Sequence, residues 1–239
     1  MDATAPDGTL AFICAMPMEV RPLVRPLSLR RADIGGARAY VGSLDGRRVV
    51  AIVTGIGTTL AREGTERLLD AVPVDRVIVV GITGAVDDVT PIGTLMRPEV
   101  VIDAATRVEH RPAPLGDGSA HGKMWTGDDL TTNLDVIARL RDEGVVCLDM
   151  ETAAVAEIAE RRNIPWSVFR AISDRASDGT VTEETSHLAN QDGTPNGGAV
   201  LRFFLRHPGR LPAMMRLAKG AKLATEHAAD AAIRACAHA

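Results

Sequence analysis

The sequence predicts an α/β fold on a mostly parallel sheet, and three observations predict it. Short, nearly continuous apolar runs rich in β-branched residues recur along the chain; such runs suit strands buried on both faces. Helical stretches alternate with them across short joints, which makes βαβ units and therefore parallel neighbours. The unusual glycine and polar clusters fall just after the strands, at the carboxyl ends where open α/β sheets bind ligands.

In chain order, residues 10–16 read as the first strand and 48–54 as another, which stops at Gly55-Ile56-Gly57. A helix follows over 59–71, with Leu60, Leu68 and Leu69 on one side and Pro73 as its end. Residues 75–81 are a nearly unbroken apolar strand, and 94–102 a weaker one interrupted by Pro98. Residues 109–123 form a loop rich in Pro, Gly and Asp that carries His110 and His121. A helix is predicted over 130–143 and a strand over 145–148. The helix over 151–162 has Val155 and Ile158 on its apolar face and stops at Asn163-Ile164-Pro165, before a strand over 166–172. Residues 177–198 are loop, with the run from Asp192 to Gly198 as pure punctuation. From Ala199 the chain reads helical, broken near Pro208 and Pro212. Between 199 and 223 it carries six Lys/Arg and no acid, which reads as a solvated basic face or, alternatively, a lipid-facing one.

With 239 residues, 46% of them hydrophobic, the chain can bury one good core, so a single domain over 1–239 is expected. A charged fraction of 24% and a net charge of −4 argue against disorder and against a nucleic-acid partner. The apolar runs at 10–16, 49–53 and 77–82 are too short to span a membrane, and membrane contact is not expected. The polar start of the chain lacks a signal-peptide pattern. Cys14, Cys147 and Cys236 have neither metal-ligand spacing nor a disulfide framework, which points to a reducing cytoplasm and to no metal.

Five clusters follow strands: 15–19, 55–57, 81–84, 150–151 and 173–174. Gly55, Gly57, Gly81 and Gly84 allow close backbone approach or simply tight turns. Neither a dinucleotide fingerprint nor a P-loop is present. Glu19, Glu151 and Asp174 each stand beside apolar residues at a strand end. Each has an ordinary alternative: a surface helix start for Glu19, a dipole-favoured first-turn acid for Glu151, and a cap or turn for Asp174. Their convergence, with Arg170 nearby, favours a site. Glu157 and Glu160 read as the solvated face of their helix.

Three stretches resemble the nucleoside phosphorylase/nucleosidase superfamily, most closely its methylthioadenosine/S-adenosylhomocysteine nucleosidases. Ala15-Met16-Pro17-Met18-Glu19-Val20 is similar to their A-M-x-x-E-V start. The run from Asp149-Met150-Glu151 to Ala156 is similar to their E-M-E-A-x-A-x-A motif, and Arg170-Ala171-Ile172-Ser173-Asp174 to their R-A-I-S-D motif. Weaker matches are Gly55-Ile56-Gly57, Gly81 to Val86, Ile92-Gly93 and Thr126-Gly127-Asp128. The resemblance implies a three-layer α/β/α fold around a central mixed, mostly parallel sheet, no cofactor, a purine nucleoside as small-molecule partner, and a homodimer or larger homo-oligomer. It implies Asp174 as the acid at purine N7, which burial would keep protonated near neutral pH. It implies Glu151 on the ribose hydroxyls, Met150 as the wall under the ribose, and Glu19 as the base that positions the attacking water. Arg170 would support the carboxylates or a closed loop. Leu130-Thr131 resembles the strip that reads the adenine edge, and Ile56, Thr83, Gly84 and Ser173 complete the expected substrate contacts.

Phosphorylases of this superfamily carry arginines where this chain has Glu19 and Val79, so hydrolysis is the first reading, and Arg21 keeps phosphorolysis as the second. A nucleoside-binding protein without turnover is the third. Ile82 replaces a family serine, for which Thr83 could substitute, and Leu130 replaces a stacking aromatic. The segment 110–125 is short for the family and lacks an element usual there; in the resemblance a partner chain often closes the 5′ end of the pocket, which the loop 109–123 could do here. The stretch from Asp192 to Pro212 resembles the tails of hopanoid-associated nucleoside phosphorylases, which leaves a bulkier or lipid-linked adenosine as an alternative substrate.

Overall fold

The apolar runs become the strands of one sheet in a computed structural model, which describes residues 8–129, 131, 133–175, 190, 194, 196, 198, 202–203 and 207–237. The central strands are β1 (Thr9–Cys14), β4 (Arg47–Val53), β5 (Arg76–Ala85) and β11 (Trp166–Arg175). They lie in the order β4-β1-β5-β11 and are parallel throughout. Beyond them β7 (Val100–Asp103), β9 (Lys123–Thr126) and β10 (Val145–Asp149) form a second parallel set. Antiparallel pairing is found at the margins and at the β5/β10 junction. The fold is therefore α/β with a mixed sheet, as expected.

Helices cover both faces. On one side α2 (Thr58–Ala71) and α4 (Thr152–Arg161) bury Ala61, Leu68, Ala154 and Ile158 against Ile13, Ile52, Val79 and Val168. On the other, α1 (Pro17–Val24) and the last helix, α5 (Leu211–Ala237), bury Leu23, Ala224, Ala228 and Ala232 against Phe12, Val49, Ile78 and Phe169. The alanines let both long helices lie close to the strands, so large side chains from the sheet fill the space between. Full burial of Phe12 and Phe169 contributes about 1.5–3 kcal/mol each. A smaller cluster seats α3 (Leu134–Asp142) on Val86 and Val145, and Asn133 caps that helix by accepting from Asp135 N and Val136 N.

Several expectations need correction. The single strand over 94–102 is two: Pro98, with no N–H to give, separates β6 (Leu95–Met96), antiparallel to β11, from β7, parallel to β9. The 109–123 loop begins with a short strand, β8 (Glu109–His110). It then runs under the amino end of β11, where Ala113 N donates to Trp166 O and Ser167 Oγ donates to Ala113 O. That is eight residues, about 26 Å of extended strand, from Asp174, so this loop does not line its own chain's site. Pro212 does not break the C-terminal helix: it is the second residue of α5, where a missing N–H has no intrahelical partner to lose. The interruption near Pro208 is real, a 3-10 turn over Pro208–Arg210. The loop expected over 177–198 lies outside the described residues apart from Asn190, Thr194, Asn196 and Gly198.

Besides β8 and β9, two features fall outside the expected elements. One is α1, only eight residues long, with Pro17 in its first turn and Pro22 inside it. The other is the hairpin of β2 (Arg30–Ile34) and β3 (Ala37–Leu44), turning at Gly35-Gly36. Alternating residues around a Gly-Gly pair are the usual signal for such a hairpin.

Candidate active site

β5 is longer than β1, and the difference creates the site. Along one edge of β5, β1 pairs up to Val79 and β10 pairs with Gly84 and Ala85. Ile82 lies between, and side chains satisfy its backbone: Ile82 N donates to Glu19 Oε1 at 2.9 Å, and Arg170 Nη1 donates to Ile82 O at 2.9 Å. Glu19 and Arg170 thus take the place of a strand partner. They meet over Gly81, where a Cβ would stand 2.1 Å from Glu19 Oε1 and 2.8 Å from Arg170 Nη1. No residue with a side chain fits there.

Arg170 is 2% exposed and gathers three carboxylates from two stretches of the chain. Its Nη2 lies 2.8 Å from Asp149 Oδ2 and 3.0 Å from Glu151 Oε2, and its Nη1 lies 3.4 Å from Glu19 Oε1. Burial alone would lower the arginine's affinity for its proton, but Asp149, Glu151 and Glu19 together raise it well above the ordinary value. The guanidinium is a permanent cation that fixes three acids.

Glu19 is fully buried, at N3 of α1. Its Oε2 accepts from Ala15 N at 2.7 Å and Met16 N at 3.0 Å, so it also closes the start of the helix. It is not the surface residue that a helix start alone would suggest. Glu151 is the N-cap of α4 yet makes no cap bond with its side chain. Its Oε1 accepts from Gly57 N at 3.0 Å, across the turn that follows β4. Gly57 has φ +102, a conformation that favours glycine. Burial pushes the Glu151 carboxyl up to about 7; Arg170 opposes this, while Asp149 and Glu19 add to it.

Asp149, quoted in the sequence but given no role there, holds the arrangement together. Its Oδ2 accepts from Thr152 N at 3.0 Å and from the Thr152 hydroxyl, and its Oδ1 accepts from the Thr126 hydroxyl. Asp149 thus caps α4 in place of Glu151. Asp128 serves α2 in the same way, accepting from Thr58 N and Thr58 Oγ1 at 2.6 Å each. The signal for both was present: short acids or hydroxyls within three residues of a helix start, or on a neighbouring strand end.

Asp174 stands apart from this cluster. A bulge between Ile172 and Asp174 sets it opposite Gly84, where a Cβ would lie 3.5 Å from Asp174 Oδ2. It accepts from Ser173 Oγ and is half-buried, less enclosed than expected. Thr83 is buried and donates to Leu148 O at 2.6 Å, so its proton ties β5 to β10. Met150, Ile56 and Gly84 are half-buried at or just after strand ends, Ser173 is buried, and Thr131 is half-buried without a described contact to them. Leu130 lies outside the described residues. Arg21, the residue that kept phosphorolysis open, is exposed and lines a groove with Arg31, Arg38 and Tyr40, between α1 and the β2–β3 hairpin. Pro17, Val20 and Val24 line the same groove, so it lies on the face of α1 turned away from Glu19.

This geometry can hold a polyhydroxylated ring against carboxylates and offer an acid at one end. The phosphorylase-superfamily profile matches residues 9–121 and 115–206. The chain belongs to the phosphorylase superfamily. Among curated members, it is 29% identical over 217 residues to a 5′-methylthioadenosine/S-adenosylhomocysteine nucleosidase of Listeria innocua, covering 76% of this chain and 93% of that one. It is 26% identical over 216 residues to that of Glaesserella parasuis, covering 78% and 91%. Solved structures share its fold. S-adenosylhomocysteine nucleosidase from Streptococcus pyogenes, in complex with 5-methylthiotubericidin, gives a TM-score of 0.74 at 17% identity, covering 99% of each chain. Futalosine hydrolase of Helicobacter pylori gives 0.73 at 14% identity, covering 97% of this chain and 98% of that one. Among the described residues, no helix is long and apolar enough to cross a membrane.

Proposed function

We propose that this chain hydrolyses the N-glycosidic bond of a 5′-substituted adenosine, of the methylthioadenosine or S-adenosylhomocysteine kind, and releases adenine. The observation that carries the reading is the nucleophile's place: a buried glutamate, Glu19, fixed by four donors, in a cluster where three carboxylates surround one arginine. A phosphate dianion would meet net negative charge there, whereas a water meets a base.

In this mechanism the C1′–N9 bond breaks to leave an oxocarbenium-like ribosyl cation. Asp174 gives its proton to purine N7, so the base leaves as neutral adenine. The incoming purine completes the burial that the half-exposed Asp174 lacks by itself. Glu151 accepts from the ribose hydroxyls, and Met150 supplies the apolar wall beneath the ring. Water adds to C1′ and yields its proton to Glu19. The 3.4 Å contact between Glu19 and Arg170 is the longest of the four at Glu19, and it is the one a bound water replaces. Arg170 keeps its bond to Glu151 and so holds that carboxylate in place while Glu19 takes the proton of the water.

The reading includes a homodimer acting in the cytoplasm, for which sedimentation at working concentration reads the mass directly. The chemistry is tested by hydrolysis in ¹⁸O-labelled water. The label is expected at the anomeric carbon of the released sugar, and an unlabelled sugar carrying phosphate would overturn the reading.

A further inference from the structure

We propose that Asp149 is a positioning residue for this reaction: by sharing Arg170 Nη2 with Glu151 it keeps Glu151 from pairing fully with the arginine, and so leaves that carboxyl available to a ribose hydroxyl. The inference rests on the nucleosidase reading for its catalytic consequence, and on geometry alone for the competition itself.

Asp149 Oδ2 lies 2.8 Å and Glu151 Oε2 3.0 Å from the same nitrogen. That nitrogen has two protons, and the Thr152 hydroxyl at 3.4 Å stands near it too. Asp149 cannot yield the position. The Thr126 and Thr152 hydroxyls and Thr152 N hold it from three directions, and its side chain is 1% exposed. It therefore cannot touch substrate and acts only through its neighbours. Glu151 is the looser of the two: among the described residues it is held, besides Arg170, by Gly57 N.

The charges that face Glu151 are Arg170 from β11, Asp149 from the end of β10 and Glu19 from α1, with the Gly57 N–H from the turn before α2. Cys14 and Cys147 flank the cluster as neutral thiols, since burial raises both well above their ordinary value. Two carboxylates sharing one nitrogen repel each other, so Asp149 makes ionised Glu151 less stable. Removing the Asp149 charge should let Glu151 close on Arg170. Burial, the largest cause of the raised value, remains, so its titration then falls from about 7 by the share that Asp149 adds, and its grip on the ribose weakens.

The test compares wild type with Asp149→Asn, Asp149→Glu and Glu151→Gln, measuring kcat/KM for adenine release and the free energy of unfolding, each against pH. In the folded wild type Glu151 keeps its proton to about pH 7, and unfolded it ionises near 4.5. Folding therefore takes up a proton in that window, and this group's stabilisation is complete below it and lost as pH rises through 7. Glu151→Gln should abolish that slope. Asp149→Asn should move both the slope and the rising limb of kcat/KM down by about one to two pH units, and raise KM several-fold more than it lowers kcat. Asp149→Glu, which keeps the charge, should leave the limb in place. Should Asp149→Asn not fold, Asp149→Ser makes the same comparison. A folded neutral variant whose limb and slope stay where wild type has them overturns the proposal, as does a limb that Asp149→Glu moves equally far. A wild type that releases no adenine refutes the nucleosidase reading instead, while the unfolding profile, which needs no substrate, still decides whether Asp149 sets Glu151.

Discussion

Arg170 and Asp174 lie four residues apart on β11 and occupy opposite environments. Arg170 is sealed in the core, and its contacts run to Glu19, Asp149, Glu151 and the Ile82 carbonyl. Asp174, beyond a bulge, is half-buried over a glycine. The difference separates two demands. The groups proposed to hold the ribose and the water must be fixed in advance, so they are built into the same contacts that finish the sheet. The proposed acid must meet a base that comes and goes, so it stands where the sheet opens. Stability and activity should be inseparable at one end of this stretch and separable at the other.

The largest effect is expected at the sealed end. Arg170→Met leaves three buried acids without their cation; breaking such a set costs about 3–5 kcal/mol, and adenine release should vanish with it. Urea denaturation and a release assay on the same preparation read both. At the open end, Asp174→Asn should lower kcat/KM by about 10²–10⁴-fold while unfolding shifts by no more than about 0.5 kcal/mol. Near-normal turnover in that variant removes Asp174 as the acid, and a large loss of stability erases the contrast. Gly81→Ala sharpens the sealed end, because its methyl falls on the Glu19–Arg170 contact. It should cost about 1–3 kcal/mol and slow release, although Gly81 touches no substrate in the mechanism. Arg162→Ala is the control. Among the described residues it breaks a surface pair with Asp70, between α2 and the end of α4, so unfolding should change by less than about 1 kcal/mol and kinetics not at all.

How much of this was legible in the sequence follows from where each signal resides. The central strands were readable because burial on both faces leaves apolar runs such as 77–82. Glu19, Glu151 and Asp174 were readable because each comes after such a run, and Arg170 because it is a charge inside one, within a motif of the resemblance. What sequence could not give is the meeting of distant segments. The unpaired Ile82 edge appears only once β1 is seen to end below it. The purpose of Gly81 appears only once two side chains cross over it. Asp149 looked like part of a motif, because its weight comes from Thr126 and Arg170, which are 23 and 21 positions away in the chain. The β2–β3 hairpin was missed for a different reason. It carries Arg30, Arg31, Asp33 and Arg38 at a sheet edge, which obscure the apolar pattern, although Gly35-Gly36 marked the turn.

The most direct measurement is adenine release by the purified protein from several 5′-substituted adenosines, methylthioadenosine and S-adenosylhomocysteine among them, with and without inorganic phosphate. Release at the same rate in both conditions, with free pentose as the second product, is the predicted result. Release that requires phosphate and yields a sugar phosphate would contradict the assignment of Glu19 to water and make the chain a phosphorylase.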